Sequence, residues 1–316
     1  MKTPRIIVVG SSNTDMIIKL ERIPRPGETI LGGAFVTAAG GKGANQAVGA
    51  ARAGGQVTFI ARVGQDMFGD QAVAGFVKDG INVDHVTRDK SNPSGVALIF
   101  VAKDGENSIA VAGGANAKLS PADVKKAKPV FAGASVLVMQ LETPLETVHA
   151  AADLAAKAGV RVMLNPAPAQ PLPDELLQKV SILTPNETEA ELLTGIAVND
   201  DASAAAAATI LRARGVQTVI ITLGARGAYV ATESGGQRVP GFKVKAVDTT
   251  AAGDIFNGAL AVALAEGKPL DIAVRFANAA AAISVTQLGA QPSAAKRHEI
   301  EKFLKKNSLQ ACGNGA

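Results

Sequence analysis

Arg5-Ile-Ile-Val-Val-Gly10 is a short apolar run that ends at a glycine, and this pattern predicts a buried β-strand near the start of the chain. Similar runs return along the sequence, separated by stretches with helical periodicity. The further predicted strands are residues 57–63, 136–139, 160–165, 182–184 and 219–223. The predicted helices are residues 44–53, 145–158, 187–194, 202–214, 255–266 and 270–285. Strands that alternate with helices of about 10–15 residues build βαβ units, so the sequence predicts a doubly wound α/β fold with a mostly parallel central sheet and helices on both faces.

Two regions interrupt this alternation with short strands that have no helix between them. These strands are residues 15–20, 29–36, 94–103 and 107–112. The last two flank Asp104-Gly105, a dipeptide that is typical of hairpins. Because such strands do not join a parallel sheet easily, they predict a small β lid or interface, inserted at about 15–37 and 94–112 into one domain that spans residues 1–316.

Composition narrows the classes of function. The chain has 316 residues, 47% hydrophobic and 19% charged, which is typical of a folded globular protein. Its single cysteine, Cys312, excludes a disulfide framework and a cysteine–histidine nucleophile site. Aromatic residues make up 3%, too few for the stacking platforms of a single-strand binder, so no nucleic-acid partner is expected. No apolar stretch reaches the roughly 18 residues of a membrane span, so we expect a cytoplasmic protein without a membrane contact.

The most specific motif is Asp248-Thr249-Thr250-Ala251-Ala252-Gly253-Asp254, which leads into the predicted helix 255–266. Small residues before a helix leave its first N–H groups free to bind an anion. A carboxylate at that helix start suits phosphoryl transfer: it accepts the proton of an attacking hydroxyl while the N–H groups stabilise the transferred group. A simple helix cap is the alternative for Asp254, but the crowding of small residues favours phosphoryl transfer.

Two segments near the N-terminus offer polar groups to a ligand. Gly40-Gly41-Lys42-Gly43-Ala44-Asn45 precedes a predicted helix, and its glycines let backbone N–H groups approach a ligand closely. It is not a P-loop, because Gly43 stands where that motif has serine or threonine. Asn13 and Asp15 point the same way in an extended segment and suit adjacent hydroxyls of a polyol. A flexible turn that opens a helix is the alternative for the first segment, where Lys42 and Asn45 favour a ligand, whereas an ordinary turn or cap is favoured for the second.

Two further segments follow predicted strands, at the edge of a parallel sheet where α/β proteins bind ligands. In Thr184-Pro185-Asn186-Glu187-Thr188-Glu189, the spacing of Asn186 and Glu189 is that of a capping box, but Glu189 also suits the water shell of a metal near phosphates. Thr222-Leu223-Gly224-Ala225-Arg226-Gly227 either cradles a nucleotide phosphate or forms a hairpin turn. The three histidines share no metal-ligand spacing, and no dinucleotide or hydrolase fingerprint is present.

Taken in order, these motifs resemble the PfkB carbohydrate kinases, also called the ribokinase family. The matching segments are residues 40–45, 165–168 (Asn165-Pro166-Ala167-Pro168), 184–189 and 248–254. The likeness runs from about residue 5 to about residue 304, and the 248–254 segment, which resembles the family's C-terminal signature, is its most specific part. The resemblance implies a transferase that uses ATP to phosphorylate a small sugar, with the 5-hydroxyl of D-ribose as the expected acceptor.

The resemblance also implies roles at the matching positions. The catalytic set is Asp254 as the base, with the amides of Ala251, Ala252 and Gly253 as the anion hole. The sugar-binding set is Asn13, Asp15, Gly41, Lys42, Asn45 and Glu142, together with Asp254. The ATP-binding set is Asn186, Thr222, Gly224, Ala225, Arg226, Gly227, Gly253 and Asn278, and at Asn278 related kinases often carry histidine. The metal-binding set is Glu189 for the water shell of Mg²⁺, and Asp248, Thr250, Ser284, Gln287, Gly289 and Ser293 for a monovalent cation, usually K⁺.

The resemblance further implies that the β lid closes on the sugar and pairs two subunits in a homodimer. Two alternatives remain open. One is a kinase of another small sugar such as 2-deoxyribose, with Asp15, Lys42 and Asn45 as candidate partners of the substrate 2-hydroxyl. The other is a catalytically silent sugar or nucleotide sensor on the same fold. A nucleoside kinase is less expected, because the lid segments offer mainly Phe35 and Phe100 as an aromatic clamp.

Overall fold

The central sheet is built around the apolar run that opens the chain. The computed structural model describes the backbone of residues 4–313 and the side chains of residues 4–308. The strands are β1 (Arg5–Val9), β2 (Asn13–Lys19), β3 (Ala34–Gly40), β4 (Gln56–Gly64), β5 (Val86–Asp89), β6 (Gly95–Val101), β7 (Asn107–Ala112), β8 (Val136–Met139), β9 (Arg161–Leu164), β10 (Ile182–Leu183), β11 (Thr218–Thr222), β12 (Gly227–Thr232) and β13 (Gly235–Pro240). The helices are α1 (Lys42–Arg52), α2 (Met67–Lys78), α3 (Pro121–Lys126), α4 (Lys128–Phe131), α5 (Leu145–Lys157), α6 (Asp174–Leu177), α7 (Glu187–Thr194), α8 (Asp201–Ala213), α9 (Ala252–Ala265), α10 (Leu270–Ser284) and α11 (Arg297–Gly313). Among the residues described, no helix combines the length and the hydropathy needed to cross a bilayer.

The central sheet has nine strands in the order β13-β12-β11-β10-β9-β8-β1-β4-β5. All neighbours from β11 to β5 run parallel, and β12 and β13 form an antiparallel hairpin at one edge. Ile6 and Val8 join a buried cluster with α1, α9 and α10, whereas Ile7 and Val9 join a second cluster with α5 and α8. Because alternate residues of β1 face opposite helical layers, the predicted doubly wound fold is confirmed.

The direction of strand addition reverses beside β1. The chain adds β4 and β5 on one side of β1, then crosses to β8, from which β9, β10 and β11 extend the sheet the other way. The carboxyl ends of β1 and β8 therefore meet at a switch point, where open α/β sheets bind their ligands.

A separate four-stranded sheet, in the order β3-β2-β6-β7, contains the two interruptions expected from the sequence. β2 pairs antiparallel with β3 and parallel with β6, and β6 pairs antiparallel with β7. The predicted bounds of the strand at residues 29–36 were wrong, because the observed strand is Ala34–Gly40. Gly32 and Gly33 have φ angles of 103° and 99°, which strand pairing does not tolerate, so β3 begins only after them.

Glycines let α1 pack closely against its neighbours. A Cβ on Gly258 of α9 would lie 2.6 Å from the backbone nitrogen of Ala50 and 2.6 Å from the carbonyl oxygen of Gln46. A Cβ on Gly43 would lie 2.5 Å from the backbone nitrogen of Ser11, in the loop after β1. The start of α1 is therefore held against both the switch point and the start of α9.

Candidate active site

The first turn of α9 faces a cavity of about 170 Å³. Ala251, the residue before the helix, has a left-handed backbone with φ 59° and ψ 12°. The N–H of Ala252, which was expected in the anion hole, donates instead to the Thr249 carbonyl at 3.3 Å, whereas the N–H groups of Gly253 and Asp254 have no acceptor in the part of the chain that the structure describes. Free N–H groups at the start of a 14-residue helix favour an anion at this end of the cavity.

Asp254 lies on the wall of this cavity with 6% of its surface exposed. Its Oδ2 accepts a hydrogen bond from Asn45 Nδ2 at 3.0 Å, and its Oδ1 accepts one from Gln46 Nε2 at 2.9 Å. Burial raises the pKa of the Asp254 carboxyl above its ordinary value, while the charge of Lys42 and the two amide donors oppose the rise. A buried carboxylate beside free N–H groups is suited to accept a proton from a bound hydroxyl group.

Residues from two separate sequence motifs line the same cavity: Lys42 from the first, and Asn186 and Glu189 from the second. Asn186 Oδ1 accepts the N–H of Glu189 at 2.7 Å, and Glu189 Oε2 accepts the N–H of Asn186 at 2.9 Å, which is the capping box of α7. Burial raises the pKa of the Glu189 carboxyl, although the Asn186 N–H and the charge of Lys42 oppose this. Lys42, expected beside the sugar, thus shares a cavity wall with residues expected near the phosphates.

A second cavity, of about 370 Å³, adjoins the first. The residues that line both are Thr222, Thr249, Ala252 and Gly253. The second cavity also contains the expected Gly224, Ala225, Gly227 and Asn278. Its apolar wall, which the sequence analysis missed, consists of Phe242, Val244, Ala246, Phe256, Ala281, Ala282 and Val285. An apolar slot that opens into a polar cavity suits a flat heterocycle at one end and phosphates at the other.

Two members of the expected ATP-binding set make other contacts. Arg226 donates from Nη2 to Glu187 at 2.9 Å and from Nη1 to the carbonyl oxygen of Asn199, and its side chain is not on the wall of the second cavity. Asn278 lines that cavity, but its Nδ2 donates to the last two carbonyl oxygens of β13 at 3.3 Å and 3.2 Å. Asn278 therefore anchors β13 to α10 and keeps only its Oδ1 for a ligand.

Asp15 and Glu142 form an acidic pair close to Asp254. Burial raises the pKa of the half-buried Asp15 carboxyl to about 6, and the charges of Glu142 and Asp254 add to the rise. Glu142 Oε2 accepts the N–H of Lys42 at 2.9 Å and a short hydrogen bond from the hydroxyl of Ser11. Ser11, two residues after the end of β1, was not predicted from the sequence. Carboxylates grouped in this way suit the hydroxyl groups of a sugar, because each hydroxyl donates a proton.

Asn13 is held at the junction of the two sheets. Its Oδ1 accepts a hydrogen bond from Asn116 Nδ2 at 2.7 Å, and Asn116 also exchanges two hydrogen bonds with the backbone of Ser12, at 2.9 Å and 3.1 Å. Gly41, with φ 88°, packs against the same turn, since a Cβ there would lie 2.7 Å from the Asn13 nitrogen. Asn13 therefore has only its Nδ2 left for a sugar, and Asn116 is a further residue that sequence analysis missed.

The residues expected at a monovalent cation lie in the loop before α9, at the last residue of α10 and in the segment that follows it. They are Asp248, Thr250, Ser284, Gln287, Gly289 and Ser293. Asp248 joins the two segments, because its Oδ1 accepts the N–H of Thr250 at 2.9 Å and its Oδ2 accepts the N–H of Gly289 at 2.8 Å. The hydroxyls of Ser284 and Ser293 each donate to the carbonyl three residues earlier, at 2.9 Å and 2.7 Å, so their oxygen lone pairs remain available to a cation.

The fold and this site define a phosphotransferase that acts on small molecules. The family model described as pfkB family carbohydrate kinase matches residues 3–297, and the chain belongs to this family. The chain is 49% identical over 299 residues to the ribokinase of Haemophilus influenzae, a match that covers 95% of this chain and 98% of the relative. It is 39% identical over 303 residues to a deoxyribokinase of Salmonella typhi, over 96% of this chain and 99% of the relative. Among solved structures, it is similar to Arabidopsis thaliana ribokinase complexed with ribose and ATP, with a TM-score of 0.89, 35% identity and coverage of 96% and 99% of the two chains.

Proposed function

We propose that the protein transfers the γ-phosphoryl group of ATP to the 5-hydroxyl of D-ribose, giving D-ribose 5-phosphate and ADP. The observation that carries the proposal is the position of Asp254, on a cavity wall that it shares with the free N–H of Gly253 and that adjoins the apolar slot. The ribokinase relatives, which match nearly the whole chain, support ribose as the sugar. Use of ATP supports the cytoplasm as the site of action.

Each step of the transfer has a group of this chain beside it. Asp254 takes the proton of the 5-hydroxyl as that oxygen attacks the γ-phosphorus, and the bond to ADP breaks with its electron pair on the leaving oxygen. The N–H groups of Gly253 and Asp254 stabilise the charge on the transferred group. Lys42 adds a positive charge on the same wall without taking a proton. The raised pKa of Asp254 makes its carboxylate a stronger base.

The donor groups also fit the two cations of the proposal. Mg²⁺ bound with ATP supplies charge neutralisation at the phosphate oxygens. Glu189, on the cavity wall, would hold the water shell of this ion. The carboxylate of Asp248 and the hydroxyls of Ser284 and Ser293 are oxygen donors, which suit a hard cation such as K⁺. We assign K⁺ no chemical step, because Asp248 lies in the loop before α9 and its ion would act by fixing that loop.

A substrate panel tests the proposal. ADP release is measured with ribose, 2-deoxyribose, fructose and adenosine, each with and without K⁺. We expect the highest kcat/KM with ribose, a higher rate with K⁺, and a product whose phosphorus NMR signal is that of a primary phosphate ester. A higher kcat/KM with fructose or adenosine than with ribose would contradict the proposal.

A 2-deoxyribose kinase is the second candidate, and the deoxyribokinase relative favours it. Asp15 and Asn45, near Asp254, are the candidate partners of the 2-hydroxyl that separates the two sugars. A higher kcat/KM for 2-deoxyribose in the same panel would select this alternative. The presence of Asp254 in the cavity argues against a silent sensor, which would bind ribose in calorimetry and turn over none of the four compounds.

We further propose that the separate sheet, β3-β2-β6-β7, is a lid that closes on the sugar and pairs with the lid of a second copy. Strand register puts Ile17, Val36 and Ile109 on the face of Asp15. On that face Val36 and Ile109 are 49% and 56% exposed, and on the opposite face Phe35 and Leu98 are 62% and 45% exposed. A small sheet with exposed apolar side chains on both faces favours a partner, because a sugar bound at Asp15 covers only one of the two faces. The exposed edge strands of this sheet likewise suit pairing with a second copy of the chain.

Sedimentation velocity tests the pairing. We expect a dimer for the wild-type protein and a monomer for the double variant Phe35→Asp, Leu98→Lys. A matched control, Ile272→Asp, changes an apolar residue of α10 that is 47% exposed, and it should remain dimeric. A wild-type monomer, or a double variant that stays dimeric, would contradict the proposed pairing.

A further inference from the structure

Gln46, on α1, contacts the Asp254 carboxylate from inside the protein. It is 0% exposed, and its Nε2 donates to Asp254 Oδ1 at 2.9 Å and to Asn165 Oδ1 at 3.1 Å. Its Oε1 accepts a hydrogen bond from Gln140 Nε2 at 2.7 Å. Since a side chain without exposed surface does not touch a substrate, any effect of Gln46 on the reaction acts through the carboxylate.

The surrounding hydrogen bonds allow one orientation of the Gln46 carboxamide. Asn165 donates from Nδ2 to the carbonyl oxygen of Thr184 at 3.0 Å. Because that carbonyl only accepts, the Oδ1 of Asn165 has to face Gln46. A flipped Gln46 would direct its oxygen at two other oxygens and its NH₂ group at the NH₂ group of Gln140. Buried mismatches of this kind are costly, so the amide is fixed with its donor toward Asp254.

We propose that Gln46 is a positioning residue for the base: held by Gln140 and Asn165, it fixes one oxygen of Asp254 so that the carboxylate keeps the direction needed to take the substrate proton. The inference rests on the proposed function, in which Asp254 is that base. Asn45 holds the other oxygen, but it also has a buried Oδ1 with no protein partner among the described residues, which leaves it a group for the sugar. Gln46, in contrast, makes all the hydrogen bonds of its carboxamide inside the protein.

The donation from Gln46 also affects the charge of Asp254. Four ionisable groups from other elements lie near this carboxylate. They are Lys42 at the start of α1, Asp15 in β2, Glu142 after β8 and Glu189 in α7. Three of the four are acidic, and their charges, together with burial, disfavour the negative charge of Asp254. The hydrogen bond from Gln46 and the positive charge of Lys42 act together to keep Asp254 ionised.

Gln46→Met tests the positioning role, because methionine has a similar volume and no hydrogen-bond donor. We expect kcat to fall roughly 10-fold to 100-fold, as misoriented catalytic groups do, with KM for ATP within a few-fold of wild type. The acidic limb of kcat/KM, measured from about pH 5 to about pH 9, should move to higher pH because the carboxylate loses a donor. Gln46→Glu keeps the shape and donates to Asp254 only when its new carboxyl is protonated. Its kcat/KM relative to wild type should therefore rise as the pH falls.

Gln140→Met is the matched control. It removes a buried amide from the same chain of hydrogen bonds and should lower Tm as Gln46→Met does, but Asn165 still holds the Gln46 donor toward Asp254, so the acidic limb should move by less than in Gln46→Met. A Gln46→Met protein with wild-type kcat and acidic limb, or an equal shift in Gln140→Met, would overturn the inference. If Gln46→Met does not fold, the test uses Gln46→Glu: a ratio of its kcat/KM to that of wild type that stays constant across the pH range would overturn the inference. Asp254→Asn is measured in parallel. If that variant keeps its turnover, the proposed function fails. If Asp254→Asn loses its turnover while Gln46→Met keeps the wild-type kcat, only the positioning role is contradicted.

Discussion

The absent side chain of Gly258 leaves room for the carbonyl oxygen of Gln46, which would lie 2.6 Å from a Cβ at that position. The close approach of α9 and α1 at this point places Asn45 and Gln46 within hydrogen-bond distance of Asp254. The distance between two helix backbones therefore sets the geometry of the proposed base.

Gly258→Ala should push α1 and α9 apart. We expect the free energy of unfolding to fall by about 1–3 kcal/mol, as in other overpacked cores, and kcat to fall because both amide donors move away from Asp254. Chemical denaturation and steady-state kinetics measure the two effects. Gly75→Ala is the control: it lies in α2, where a Cβ would meet nothing within 4 Å, and it should stabilise the protein by roughly 0.5–1 kcal/mol. Equal behaviour of the two variants would contradict the packing argument.

Ala251→Gly should stabilise the protein. Ala251 has φ 59°, a left-handed conformation that is unfavourable for a residue with a Cβ. We expect the free energy of unfolding to rise by about 0.5–1 kcal/mol, with kcat within a few-fold of wild type because the N–H groups of Gly253 and Asp254 stay in place. A loss of stability in denaturant titration would show that the alanine methyl group makes a contact worth more than the strain.

The affinity for ribose should depend on the protonation of Asp15, whose pKa burial raises to about 6. As the pH falls through this value, the carboxylate gains a proton and loses acceptor capacity for sugar hydroxyls, so KM for ribose should rise below about pH 6. Asp15→Asn should have a higher KM than wild type at neutral pH and a flatter dependence of KM on pH. If wild type and variant show the same dependence, another group controls the binding of the sugar.

Asp248→Asn should weaken the response to K⁺. Burial works against the charge of Asp248, but hydrogen bonds from Thr250 and Gly289 outweigh it and lower the pKa of this carboxyl below its ordinary value, so it is ionised at neutral pH. We expect the K⁺ concentration for half-maximal rate to rise several-fold, and the increase of Tm on adding K⁺ to shrink. An unchanged K⁺ response in both measurements would place the cation elsewhere.

The parallel sheet could be predicted from the sequence because its strands are continuous apolar runs. A run such as Val136–Met139, which is buried on both faces, is typical of a strand in a parallel sheet. The strand expected at 29–36 failed because its apolar residues lie beside Gly32 and Gly33, whose φ angles only the structure reveals.

The site was predicted best where one short segment carries both the ligand groups and the element that holds them, as at 248–254. Residues that act across long sequence distances gave no local signal. Asn116 bonds to Asn13 from 103 positions away, and Gln140 bonds to Gln46 from 94 positions away. The apolar wall near Phe242 was missed for a different reason, since an irregular loop has no periodicity to interpret.

Replacing one carboxylate oxygen of Asp254 by the NH₂ group of an amide tests the central claim most directly. In Asp254→Asn, the production of ribose 5-phosphate from ribose and ATP should fall by about 10²–10⁴-fold, the usual contribution of a general base, while both substrates still bind. Asp271→Asn, which changes an exposed acid in the first turn of α10, should keep the wild-type rate. An Asp254→Asn protein that forms ribose 5-phosphate within a few-fold of the wild-type rate would contradict the account.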